Sequence, residues 1–220
     1  MEKTALGKPA TGKTATGARA AHPRLEWTDD PEAQELISSD PTALMIGFCI
    51  DQQITVEQAF LGPLRIVQRL GTIDAQKLIR MNPDKVVAAF RQPPAVHRFP
   101  ANMAGRVLEL CQVIATDYGN DASRIWTEAT DGNDLLKRFM SLPGFGEMKA
   151  RTLVAVVGKH YGVRPKGWDA VAPKWPTLGD VTTADERRAY QAQKRAHKAA
   201  LRAQQGGGSA PKKPAAARSR

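Results

Sequence analysis

Cysteine is nearly absent. Only Cys49 and Cys111 occur among 220 residues, too few for a disulfide framework or for the four thiolates of an iron–sulfur cluster. Long apolar runs are missing as well. No stretch approaches the ~20 residues that a helix needs to cross a bilayer. The first residues are rich in Lys, Thr, Ala and Gly and lack the apolar segment of a signal peptide. Strand-like alternation of useful length is absent. The four histidines, His22, His97, His160 and His197, show no metal-ligand spacing. These absences predict a protein with no membrane segment and no metal, in a reducing, cytoplasmic compartment.

Positive charge is what the chain has in excess. Its formal net charge is +10, a balance that suits a polyanionic partner. The charge is unevenly placed. Residues 1–24 and 205–220 each carry +4, and so does the stretch 185–204. Residues 25–136 sum to −7, whereas residues 137–184 hold eight bases against three acids, or +5. A folded anion-binding surface is therefore expected near or after residue 137. The segments 1–24 and 205–220 have few large apolar residues and are predicted to be disordered basic tails. Their lysines add nonspecific attraction to phosphate or simply solubilise the chain. The body between them, residues 25–204, reads as one domain.

That body is helical throughout. Asp30-Pro31, Asp40-Pro41 and Asn82-Pro83 are start signals, with Pro at the first helical position. Residues 41–50 are apolar on every side and predict a buried helix. Thr55 with Gln58 three residues on has the form of a capping box, and Gly71 ends the helix that follows. Further helices are predicted at Asp74–Met81, from Asn82 to Pro93, over 100–118, 121–130, 131–141, 147–161 and 185–204. The class is all-α, with nine or ten short helices and short connections.

The sharpest local signal joins two of these helices: Leu142-Pro143-Gly144-Phe145-Gly146-Glu147-Met148-Lys149-Ala150. Two glycines one residue apart allow a tight turn with outward N–H groups. The next helix starts at once, so its free N–H groups and positive dipole end face the same way. Such a turn grips phosphates without regard to sequence. The plain alternative is an ordinary glycine-rich helix connection. Upstream by about 90 residues lies a second signal, Ile50-Asp51-Gln52-Gln53-Ile54-Thr55, at the end of one helix and the start of another.

Together the two runs resemble motifs of the base-excision DNA glycosylases related to endonuclease III, the helix-hairpin-helix superfamily. The resemblance covers roughly residues 30–170. It implies a two-lobed helical glycosylase fold, a monomer, and double-stranded DNA as partner. It also implies that Gln52 and Gln53 face the duplex, with Gln53 filling the gap left by an extruded base. Leu142, Gly144, Phe145 and Gly146 would then form the phosphate-binding hairpin, where the family implies a monovalent cation. Lys149 and Arg151 are expected as phosphate-facing charges or as solvated helix charges. Phe99, beside His97, and Trp168 are the aromatic candidates for the base pocket, against an alternative role in packing. Trp126 is expected in the core.

The family also has a catalytic aspartate about 20 residues after the second hairpin glycine. Breaking an N-glycosidic bond leaves a cationic sugar that a carboxylate stabilises. Asp169 lies 23 residues after Gly146, but the residues after it, Ala170-Val171-Ala172-Pro173, depart from the family's pattern. Asp180 is the competing candidate. The lyase subgroup places a lysine two residues after the second glycine, where this chain has Met148. Methionine forms no Schiff base, so a monofunctional glycosylase with water as nucleophile is expected. No cysteine follows Cys111, so the iron–sulfur cluster of one subgroup is not expected, nor any other cofactor. The alternatives are a DNA-binding hairpin protein without catalysis and, more weakly, an RNA-binding protein.

Overall fold

A computed structural model describes residues 24–206. The predicted tails fall outside the described residues, apart from Arg24 and the last two residues of the final helix. Among the described residues the protein is all-α, without strands. Six helices make up the first part: α1 (Pro31–Ser39), α2 (Pro41–Ile50), α3 (Val56–Leu70), α4 (Ala75–Ile79), α5 (Pro83–Arg91) and α6 (Pro100–Asp117). Then follow α7 (Arg124–Thr127), α8 (Gly132–Met140), α9 (Glu147–His160) and α10 (Trp168–Val171), a 3-10 turn at Leu178–Asp180, and α11 (Ala184–Gly206).

The starts follow from capping chemistry. Orphan N–H groups of a first turn need acceptors, and side chains at the predicted positions supply them. Asp30 accepts from Glu32 and Ala33, Asp40 from Ala43, Thr55 from Gln58, Asp74 from Lys77, Asn82 from Asp84 and Asp131 from Asp134. Gly71 closes α3 in the left-handed conformation, with φ +76°. The four-residue α10 and the 3-10 turn were not predicted. Both are too short for periodicity to reveal, and the 3-10 turn is held by a capping box in which Thr177 and Asp180 bond each other's backbone N–H groups.

The helices pack in two sets around one apolar core. In the first, α2 lies against α1, α3 and α6, and α6 carries α4 and α5. Every residue of α2 from Thr42 to Ile50 is buried, as its all-round apolar sequence requires. In the second, α9 is flanked by α8, α10 and the 3-10 turn, and α7 packs on α8. The segment before α1 helps to join the sets. Trp27 is fully buried, edge-on to Phe48 and Phe60, and its indole N–H donates to Val181 O over 3.3 Å. Tyr161 Oη donates to the carbonyls of Ile37 and Ser38. The last helix, α11, is anchored by Arg187, which is 2% exposed and donates to Glu26 O and to the Asp29 carboxylate. No described helix is long and apolar enough to cross a membrane.

Candidate nucleic-acid interface and cavity

The turn between α8 and α9 is built by its apolar residues. Leu142 and Phe145 are buried, 3% and 4% exposed, and the Phe145 N–H donates to Leu142 O over 3.1 Å. They fasten the turn from beneath. Gly144 and Gly146 stay exposed. Gly144 has φ +78°, a region that costs a residue with a Cβ about 1–2 kcal/mol. Gly146 is the N-cap of α9, and no side chain caps that end. The exposed turn and the first turn of α9 therefore offer backbone N–H donors and the positive end of a 14-residue helix.

The glutamine run meets this turn in space. A Cβ placed on Gly144 would lie 3.4 Å from Gln52 Nε2 and 3.4 Å from Arg106 Nη1. Gln52 is fixed at three points. Its Nε2 donates to Cys49 O over 3.0 Å, its Oε1 accepts from Arg106 Nη1 over 3.0 Å, and its carbonyl bonds His97 Nε2 over 2.7 Å. The Phe99 N–H donates to His97 Nδ1 over 3.1 Å, so Nδ1 is the unprotonated nitrogen and Nε2 carries the hydrogen that Gln52 O accepts. Gln53 is different: it is exposed and stands in the left-handed region with φ +57°. The exposed, strained Gln53 thus stands between the fixed Gln52 and the Thr55 cap of α3.

Beside this strip opens a cavity of about 670 Å³, within the usual range for small-molecule sites. Phe48 and Asp51 from the end of α2 form one wall, and Met148, Lys149 and Thr152 from the start of α9 another. The segment Trp175–Leu178 and Tyr190, Gln193 and Lys194 of α11 complete it. Asp51 is the carboxylate that lines it. Its side chain is 11% exposed, and Oδ2 lies 3.6 Å from Lys194 Nζ.

Several predicted site residues take other places. Lys149 is not a surface charge. Its Nζ donates to Phe48 O, capping the carbonyl end of α2, and lies 5.0 Å over the Phe145 ring. Burial lowers the pKa of its ammonium, against the opposing pull of Asp51. Arg151 joins α9 to its surroundings, donating to Glu147 and to Val171 O. Trp168 is not in the cavity wall. It packs on Gly158, where a Cβ would meet its ring at 2.4 Å, and its indole N–H donates to Val154 O over 2.9 Å. Phe99 is 48% exposed beneath the Arg98 guanidinium, on the His97 side of the glutamine run and outside the cavity lining. Trp126 is buried as expected.

The two predicted carboxylates also lie outside the lining. Asp169 is exposed, with its backbone carbonyl accepting from Lys174 Nζ. Asp180 accepts from the Thr177 N–H and from Lys159. Burial raises its pKa, but the Lys159 and Thr177 bonds outweigh that and hold the carboxyl below its ordinary value. Met148, at the lyase-lysine position, is 65% exposed on the cavity wall. Cys49 and Cys111 are buried and unpaired, and burial pushes the Cys49 thiol up to about 11. Among the described residues no group of three or more His, Cys, Asp or Glu side chains could hold a metal ion.

Sequence reasoning missed Asp51 and Arg106. Asp51 stands immediately before the glutamines, and that adjacency was the available signal. Arg106 had none, because only the fold brings the middle of α6 to the turn. Comparison with protein-family models, characterised proteins and solved structures finds no match to this chain.

Proposed function

We propose that the protein binds duplex DNA and hydrolyses the N-glycosidic bond of a damaged or mismatched base, in the manner of the two-lobed helix-hairpin-helix glycosylases that its motifs resemble. The observation that carries this reading is the meeting of Gln52, Arg106 and Gly144 beside a cavity that Asp51 lines. The exposed turn and the uncapped start of α9 hold backbone phosphates, and a monovalent cation bound at the turn, as the family implies, would add positive charge there. Gln53 enters the stack, and the displaced base enters the cavity. Extrusion is least costly at a damaged or mispaired base, which supplies part of the selectivity. With Met148 at the lyase position, water is the nucleophile and the product is an abasic site.

The placement of Asp169 and Asp180 outside the cavity lining favours one second reading, a duplex-binding protein without catalysis. Alkali-labile sites decide between the two. The substrates are 25-mer duplexes carrying one uracil, hypoxanthine, 8-oxoguanine, 7-methylguanine or thymine opposite guanine. Cleavage after alkali on at least one of them supports the glycosylase reading. Duplex binding with no cleavage on any contradicts it. A covalent adduct trapped by borohydride would contradict the assignment of water.

A further inference from the structure

The reaction proposed above needs an anion at the cavity, and neither Asp169 nor Asp180 lines it. Three observations converge on another residue. Asp51 is the carboxylate in the cavity wall, 11% exposed, and shares the lining with Phe48, Trp175 and Tyr190. Two ammonium groups also line the cavity, Lys149 and Lys194, and the latter approaches Asp51 to 3.6 Å. The residue lies two positions before the exposed Gln53, at the end of the helix that leads into the glutamine run.

We infer that Asp51 is the catalytic carboxylate, the anion that faces the sugar of the extruded nucleotide. This inference rests on the glycosylase reading. As the C1′–N bond breaks, its electron pair leaves with the base, and positive charge develops over C1′ and the ring oxygen. Asp51 stabilises that charge from a wall where little water screens it. A water oxygen then bonds to C1′ and passes one proton to Asp51. The departing base takes up one proton, so one water is consumed and the enzyme returns to its starting charge once Asp51 releases its proton. Lys194 positions the carboxylate, and Asp169 has no part in the step.

The test is independent of which lesion is cleaved. A duplex carrying a pyrrolidine in place of one nucleoside presents a cationic sugar analogue. The same duplex with a tetrahydrofuran presents a neutral one. A site complementary to the cationic transition state prefers the first. Wild type is expected to bind the pyrrolidine duplex at least about tenfold more tightly than the tetrahydrofuran duplex, a margin of about 1.4 kcal/mol. Asp51→Asn should bring the ratio close to one while keeping tetrahydrofuran affinity, and Asp169→Asn should leave the ratio unchanged. Asp51→Ser gives the same reading if the amide disturbs the packing. Asp51→Asn that keeps the preference, or Asp169→Asn that loses it, overturns the inference. Wild type that binds both analogues equally also overturns it and leaves duplex binding intact. Wild type that binds neither duplex overturns the glycosylase reading itself.

Discussion

The turn at 141–146 and the stretch at 163–181 flank a single helix, α9, yet they use their residues in opposite ways. In the turn, the apolar side chains are buried and the backbone of Gly144 and Gly146 is left exposed. In the later stretch, two of the chemically capable side chains serve the fold. Trp168 fills the space above Gly158, and Asp180 caps the 3-10 turn and bonds Lys159. A residue type suited to a reaction is available for it only when no structural contact has claimed it.

Changes on the two sides should therefore separate stability from DNA affinity. The largest effect is expected for Gly158→Ala, whose Cβ would lie 2.4 Å from the Trp168 ring. Overpacking of this kind costs about 3 kcal/mol, measured as a lower midpoint in urea, with duplex affinity unchanged in the folded fraction. Gly144→Ala should do the reverse. It costs about 1 kcal/mol of stability from the left-handed backbone. Duplex affinity, measured by anisotropy, should fall about tenfold, equivalent to about 1.4 kcal/mol. An equal loss of affinity in both variants would erase the distinction between the two regions.

Trp168→Phe sharpens it further. The variant keeps most of the ring volume and loses the N–H bond to Val154 O, for about 1 kcal/mol. Cleavage of a lesion duplex should be unaffected, because the indole lies outside the cavity lining. The smallest effect concerns Asp180. Its folded carboxyl is held below the ordinary 3.8. Its contribution is therefore full above that value and is lost as pH falls through the folded pKa. Asp180→Asn should lower stability at neutral pH and converge with wild type as pH falls through the lowered folded pKa, as followed by thermal melting across pH.

Much of the framework was legible in the sequence, because it rests on local rules. Asp30, Asp40, Thr55, Asp74 and Asn82 each cap the helix that their position announces. The Leu-Pro-Gly-Phe-Gly run specifies its own turn. The cavity was not legible. It is assembled from α2, α9, the Trp175–Leu178 segment and α11, which are brought together only by packing. Lys149 shows why distance along the chain misleads: its partner Phe48 lies about 100 residues earlier. Trp168 likewise looked free for stacking until Gly158 gave it a place to pack.

The account depends most on Gln53 entering the duplex from the strip formed by Gln52, Arg106 and Gly144. The most direct measurement is the fluorescence of a 2-aminopurine mispaired within a duplex, titrated with the protein to saturation. Wild type is expected to raise the emission strongly as the base leaves the stack, and Gln53→Ala to keep most of the affinity while losing most of that rise. Saturated binding with unchanged emission would show a duplex held with its bases stacked, and would contradict the account.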